Sequence, residues 1–202
     1  MKKQQPKKKN VICIAGLTGC GKSTVAKRLA EKYGLEYLSG GMALKELAIK
    51  MGYKSHGRGW WETSEGVKFL EHRLKDPKFD KLVDEQLLKW AKRGNVVLDS
   101  WTMPWLFKGG FKIWFEASPK VRARRLAERN DVSVKEAIKA IKEKDEKTRR
   151  IYYDVYGFKL GEDFSPFNLI LDVNHLDAEE VFKTLCLVVD HLVFGKRPSH
   201  LK

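Results

Sequence analysis

Residues Gly16-Leu17-Thr18-Gly19-Cys20-Gly21-Lys22-Ser23 fit G-x-x-x-x-G-K-[ST] at every fixed position. The pattern takes its meaning from its flanks. Before it, Val11 to Ala15 are apolar or small and read as a short buried strand; after it, Val25, Leu29, Ala30 and Tyr33 recur at helical spacing until Gly34 stops the helix. Strand, glycine loop and helix in that order predict a P-loop. Glycines at 16, 19 and 21 permit torsions and close approach that a Cβ would block. The freed N–H groups then face a phosphate at the positive end of a helix. Gly16, Leu17, Thr18, Gly19, Cys20, Gly21, Lys22, Ser23 and Thr24 are therefore the expected triphosphate-binding residues. Lys22 would reach the β- and γ-phosphates, and the Ser23 hydroxyl would hold Mg²⁺.

The rest of the chain has to build a scaffold for that loop. Its 202 residues suffice for one α/β core with a mobile sub-domain but hardly for two independent domains. Cys13, Cys20 and Cys186 form neither a metal-type cluster nor a disulfide framework. Cys20 stands at a helix N-terminus, where a thiol can become reactive, or it simply occupies an unconstrained loop position. No secretory segment and no apolar run of the ~20 residues a membrane helix needs is present, so the expected compartment is the cytoplasm. Net charge is +14. Lys2, Lys3, Lys7, Lys8 and Lys9 read as a disordered basic tail over residues 1–10. That tail could touch nucleic acid, but a solubility tail is the favoured reading. The remaining body is basic too, which suits a site that gathers phosphates.

Read in order, Glu36-Tyr37-Leu38-Ser39 is a second strand, and a helix follows from about Met42 to Met51. Tyr53 to Gly66 has no periodic face and reads as a glycine-rich loop carrying His56, Trp60 and Trp61; the paired tryptophans either form a contact surface or anchor the loop to the core. Val67 to Leu74 is a short amphipathic helix. Phe79, Leu82, Val83, Leu87 and Trp90 mark a longer one that Gly94 stops. Asn95 to Asp99 and Phe111 to Glu116 are strands. Ser118-Pro119 starts a helix through Arg129, and Ser133 with Glu136 forms a capping box for a helix toward Tyr153. Asn168 to Asp172 is the last strand, and Asp177 caps a final helix to about Phe194. The expected fold is therefore α/β: a P-loop NTPase with a five-stranded, mostly parallel sheet covered by helices on both faces. A single P-loop domain is expected over 11–202, with an acceptor-binding segment at about 40–93 and a mobile lid at about 122–153.

Ligands in such folds sit outside the carboxyl ends of the strands, where Gly16, Ser39 and Asp99 converge. Phosphoryl transfer needs positioning and charge neutralisation more than covalent chemistry. Lys22 supplies one cation. Asp99 can orient the Mg²⁺ shell or accept a proton from the acceptor. The helix pair after Ser118 supplies eight cations, Arg122, Arg124, Arg125, Arg129, Lys144, Lys147, Arg149 and Arg150, of which Arg122, Arg125, Arg129, Arg149 and Arg150 are the expected phosphate contacts. Since most charges on exposed helices only face water, about three of the lid cations are expected to touch phosphate.

The order P-loop, strand ending in Ser39-Gly40, two helices, Val96-Val97-Leu98-Asp99, then Ile113-Trp114-Phe115-Glu116-Ala117-Ser118-Pro119 with Val121-Arg122-Ala123-Arg124 and Ala127-Glu128-Arg129 resembles a nucleoside monophosphate kinase, in particular the archaeal-type cytidylate kinases. Ile141 to Asp145, Tyr156-Gly157 and Asn168 to Asp172 share the likeness, which runs from about Val11 to Val193. The resemblance implies ATP- and Mg²⁺-dependent phosphorylation of CMP or dCMP. It also marks departures. Lys45 stands where the family carries an arginine for the acceptor phosphate, and lysine lacks the bidentate fork. Ser100-Trp101 replaces a glycine-arginine pair, Asn168 replaces an acid, and the Tyr53–Gly66 region is longer than usual. Ser39, Gly40, Lys45, Trp60, Trp61 and Trp101 are the expected acceptor-pocket residues, with an aromatic wall in place of part of the arginine clamp. Two other readings stay open: a P-loop kinase of a different small-molecule acceptor, and a nucleotide-dependent RNA- or ribosome-associated factor.

Overall fold

A computed structural model describes residues 9–54 and 59–196. The lysine-rich segment up to Lys8, and His56 with its neighbours in the glycine-rich loop, lie outside the described residues. Five strands form one sheet: β1 (Val11–Gly16), β2 (Glu36–Ser39), β3 (Val96–Asp99), β4 (Phe111–Glu116) and β5 (Leu169–Asp172), in the order β2-β3-β1-β4-β5. Every neighbouring pair is parallel. The central strand β1 is buried at all six positions, as a parallel strand covered on both faces must be. Its side chains alternate between two cores. Ile12 and Ile14 pack with Leu29, Phe115, Leu185 and Val189, whereas Val11 and Cys13 pack with Phe69, Leu87 and Leu98.

Helices α1 (Lys22–Tyr33) and α8 (Ala178–Leu192) cover the first of these faces. Helices α2 (Gly40–Lys50), α3 (Ser64–Lys75) and α4 (Lys78–Arg93) cover the second. The remaining helices are α5 (Met103–Leu106), α6 (Pro119–Asn130) and α7 (Val134–Tyr156). The expected caps are present: the Ser118 hydroxyl accepts from the Val121 N–H, and Ser133 with Glu136, like Asp177 with Glu180, forms a complete capping box. Two short elements escaped the periodicity reading, a 3-10 turn at Trp60–Glu62 and the four-residue α5. Neither is long enough to show a period.

The register places Ser39 of β2 beside Asp99 of β3, and Asp99 beside Ile14 of β1. The chain ends of β1, β2 and β3 thereby open on one side of the sheet. Asn168, where the resemblance leads one to expect an acid, serves the sheet. Its Oδ1 accepts from the Lys112 N–H at 2.8 Å, while its own N–H donates to the Lys112 carbonyl at 2.9 Å. This fixes where β5 joins β4.

Candidate active site

A cleft of about 500 Å³ opens at the carboxyl ends of the strands and runs from the P-loop to a pocket between α2, α3, α4 and α7. At the P-loop end, Gly16 and Gly19 have positive φ (147° and 83°); a Cβ on Gly19 would stand 2.7 Å from the Arg122 carbonyl oxygen. Only glycine lets the loop pass so close. Lys22 is folded onto the loop itself, its Nζ donating to the carbonyls of Gly16 at 2.6 Å and Leu17 at 3.1 Å. The same Nζ stands 5.5 Å over the Trp101 ring. Ser23 Oγ donates to Asp99 Oδ2 at 2.5 Å, and the Tyr37 hydroxyl donates to that oxygen at 3.1 Å. Burial, and then the Asp99 charge, push the Tyr37 phenol well above its ordinary range, so it stays a donor.

The far end of the cleft is charged as well as aromatic. Arg73 and Asp80, both buried, form a two-bond ion pair: Nε to Oδ2 at 3.0 Å and Nη2 to Oδ1 at 2.5 Å. One turn further along α4, Asp84 accepts from Thr102 Oγ1 at 2.5 Å and from the Tyr156 hydroxyl at 2.7 Å. Burial pushes its carboxyl up to about 6, against these two hydrogen bonds, which lower it. Two further hydroxyls on the cleft wall, Thr18 Oγ1 and Thr148 Oγ1, are buried and have no protein partner. A buried polar group left unpaired is costly, and a ligand in the cleft is one way to satisfy both.

The structure brings Lys45, Trp60, Trp61, Asp99 and Trp101 to the same cleft, together with Ser39 and Gly40. The two tryptophans of the loop play different parts. Trp60 is buried against Phe69 in the core, its Nε1 held by the Lys54 carbonyl at 2.9 Å. Trp61 is half-buried and lies under two cations, the Arg73 guanidinium at 5.8 Å and Lys144 Nζ at 5.1 Å from its ring centre.

The arginines of α6 and α7 are placed differently from the sequence expectation. Among the five expected, Arg129 lines the cleft. Arg122 is buried in an ion pair with Asp145 at 2.6 Å and also donates to the carbonyls of Thr18 and Ala117. Arg125 donates to the carbonyls of Cys20, Val173 and Leu176. Both have left the solvated helix face to tie α6 to the P-loop and to the end of β5. Arg149 donates to the Leu160 carbonyl, and exposed Arg150 pairs with Asp154 on its own helix. Lys144, one turn before Thr148, faces the cleft instead. Cys20 is buried with its sulfur 3.5 Å from Lys22 Nζ, so its thiol is a packed part of the loop. Gly16, Leu17, Gly21 and Thr24 shape the loop without lining the cleft, whereas Thr18, Gly19, Lys22 and Ser23 do line it.

Sequence reasoning missed Arg73, Asp80, Asp84 and Glu62. A signal for the acids did exist. Asp80 and Asp84 fall at i, i+4 among Phe79, Val83 and Leu87, on the face of α4 that packs inward. A carboxylate on the buried stripe of an amphipathic helix needs a partner.

The cytidylate kinase-like family model matches residues 11–175. The chain belongs to the cytidylate kinase-like family. It is 33% identical over 188 residues to a cytidylate kinase of Pyrococcus horikoshii, covering 93% of this chain and 92% of that one. A cytidylate kinase of Methanocaldococcus jannaschii is 33% identical over 187 residues, covering 90% and 98%. Among solved structures, a shikimate kinase from Bacteroides thetaiotaomicron aligns with a TM-score of 0.55 at 16% identity, over 90% of this chain and 98% of that one. A shikimate kinase from Acinetobacter baumannii in complex with shikimate aligns with a TM-score of 0.53 at 17% identity, over 97% of each. These likenesses establish the P-loop kinase fold. Among the described residues no helix is long and apolar enough to cross a membrane.

Proposed function

We propose that this member of the family transfers the γ-phosphoryl group of ATP to the phosphate of CMP or dCMP. One observation carries the reading: a single cleft joins the P-loop to a buried pocket holding the Arg73–Asp80 pair, Asp84 and the half-buried Trp61 ring. The P-loop end suits a triphosphate. The far end suits a polar heterocycle with both donors and acceptors. An aromatic face can hold such a ring by stacking, worth roughly 1–3 kcal/mol.

The acceptor is itself a phosphate monoester, whose second pKa of about 6 leaves it mostly dianionic at neutral pH. Its oxygen needs no base to become a nucleophile. Attack on the γ-phosphorus forms the new P–O bond as the bond to the β,γ-bridging oxygen breaks, and ADP leaves with that electron pair. Lys22, released from the Gly16 and Leu17 carbonyls, follows the charge as it moves onto the bridging oxygen. Arg129 and Lys144, from the α6–α7 lid, neutralise the phosphates from the opposite side. Asp99 is freed from proton abstraction and holds Ser23.

Ser23 Oγ and Asp99 Oδ2 are hard oxygen donors already brought together, which fits Mg²⁺. Among the described residues no group of three or more His, Cys, Asp or Glu forms a metal cage, so nucleotide oxygens and water would complete the shell. Held by these residues, Mg²⁺ would supply positive charge that neutralises the transferring phosphates. The observations give no comparable support to a non-nucleotide acceptor or to an RNA-binding factor. An acceptor screen with ATP and Mg²⁺, reading ADP release across nucleoside monophosphates, nucleosides and small alcohols, tests the proposal. Turnover with CMP and dCMP well above the others is the expected result. Turnover confined to an alcohol would overturn it.

A further inference from the structure

The cleft contains a negative charge in an unexpected place. Glu62, in the 3-10 turn of the acceptor-binding segment, lines the cleft beside Arg129 and Lys144. Its carboxylate takes three contacts from the α6–α7 pair: Lys144 Nζ at 3.4 Å, Arg129 Nη2 at 3.5 Å and Asn130 Nδ2 at 3.3 Å. A site that binds two anionic substrates gains nothing from a fixed carboxylate, which would repel both.

The geometry separates Glu62 from the structural ion pairs of this protein. Arg73–Asp80 and Arg122–Asp145 close to 2.5 and 2.6 Å, with both partners buried and a second hydrogen bond or a backbone carbonyl in support. Glu62 is shared among three donors, and no contact is shorter than 3.3 Å. Lys144 also remains short of negative charge: burial first, then Arg129 and Lys22, drive its ammonium down to about 8 despite the Glu62 carboxylate. Two cations and one neutral amide thus surround one loosely held anion. The turn itself rests on the lid, since a Cβ on Gly59 would meet the Asn130 side chain at 2.8 Å.

We propose that Glu62 is a positioning residue that stands in for a substrate phosphate: it holds Arg129 and Lys144 over the cleft and gives them up when a phosphate arrives. A phosphate dianion carries more charge and more acceptor oxygens than a carboxylate, so the exchange runs toward substrate. The same contact ties the acceptor segment to the lid, so displacing it lets each cation follow the substrate. The inference rests on the reading that the cleft takes phosphorylated ligands, but not on which acceptor is used.

The test compares the full-length protein with Glu62→Gln, which keeps shape and the Asn130 contact but removes the charge. Inorganic pyrophosphate is titrated against intrinsic tryptophan fluorescence, to which Trp61 under Lys144 contributes. Removing the competing anion should tighten pyrophosphate binding roughly three- to tenfold and lower the KM for CMP more than it changes kcat. In a Lys144→Ala background the gain from Glu62→Gln should shrink, because the two residues act through one contact. A merely structural cross-link gives the opposite sign. Pyrophosphate binding that weakens or stays the same in Glu62→Gln, at an unchanged melting temperature, overturns the proposal. So does a full gain in the Lys144→Ala background. Failure of CMP as acceptor would appear in the turnover screen alone and leave the pyrophosphate titration readable.

Discussion

Ser23 Oγ and Asp99 Oδ2 meet at 2.5 Å, joining the last residue of the P-loop motif to the last residue of β3. The parallel register makes the meeting possible, since it sets Asp99 beside Ile14 of β1 and Ser39 of β2. Tyr37 closes the group from β2. Hydroxyl, carboxylate and phenol are all local choices in sequence, yet their convergence is a property of the sheet. Replacing Asp99 by Asn keeps the shape and removes the charge. Turnover should fall roughly 10- to 100-fold, the usual cost of losing an orienting partner at a metal site. The Mg²⁺ concentration for half-maximal rate should rise with it. A variant with unchanged Mg²⁺ dependence would take Asp99 out of the metal shell.

Lys22 makes its bonds to the loop's own carbonyls, so its loss exposes groups that cleft water can satisfy. Lys22→Ala is expected to lower kcat by about 10²–10³, the cost of one preorganised charge on the transferring group. Thermal unfolding should move little. Steady-state ADP release and a melting curve on the same preparation decide it, and near-normal turnover would remove Lys22 from the reaction.

Arg122 and Arg129, seven residues apart on α6, should behave as different kinds of residue. Arg122 is 5% exposed and paired with buried Asp145; its removal leaves an uncompensated buried carboxylate, costing about 3–5 kcal/mol. At roughly 2–4 °C per kcal/mol for a chain of this size, melting should fall by ~6–20 °C. Arg129 has 52% of its side chain exposed, and Arg129→Ala should leave melting almost unchanged while slowing turnover. If the two variants exchanged these signatures, the placement of both arginines would be wrong.

These contrasts show what the sequence made legible. The P-loop, the five strands and the helix caps depend on neighbours along the chain, and so they could be read directly. Asp177 with Glu180 and Ser133 with Glu136 are examples, each complete within four residues. The arginines of α6 were indistinguishable there, because Arg122, Arg125 and Arg129 differ only in what lies across from them in space. Arg122 meets Asp145 from 23 positions away, and Asp84 meets Tyr156 from 72. The tryptophans gave half an answer for the same reason. Adjacent in sequence, Trp60 and Trp61 both pack beside Phe69 and border the cleft, yet Trp60 is buried with its Nε1 bonded to the Lys54 carbonyl while Trp61 is half-buried under Lys144.

Asp84 gives the sharpest dependence on pH. Its carboxyl sits near 3.8 in the unfolded chain and is raised to about 6 in the fold, chiefly by burial. The native state therefore holds this proton more tightly than the unfolded state does. The stability it contributes is fully present below about pH 4 and is lost as pH rises through about 6. Between those two values the loss amounts to roughly 3 kcal/mol, at about 1.4 kcal/mol per pH unit. Asp84→Asn carries no such proton, although it must still meet the Thr102 and Tyr156 hydroxyls, one of which has to turn round and accept. The substitution should therefore cost stability at pH 4.5, where the wild-type carboxyl is neutral and hydrogen-bonded. By pH 7.5, where the wild type buries a charge, that cost should shrink or reverse. Urea unfolding of both proteins at several pH values between 4 and 8 measures the difference directly. Two parallel curves across that range would mean that Asp84 stays ionised throughout, and that the Thr102 and Tyr156 hydrogen bonds, not burial, govern its charge.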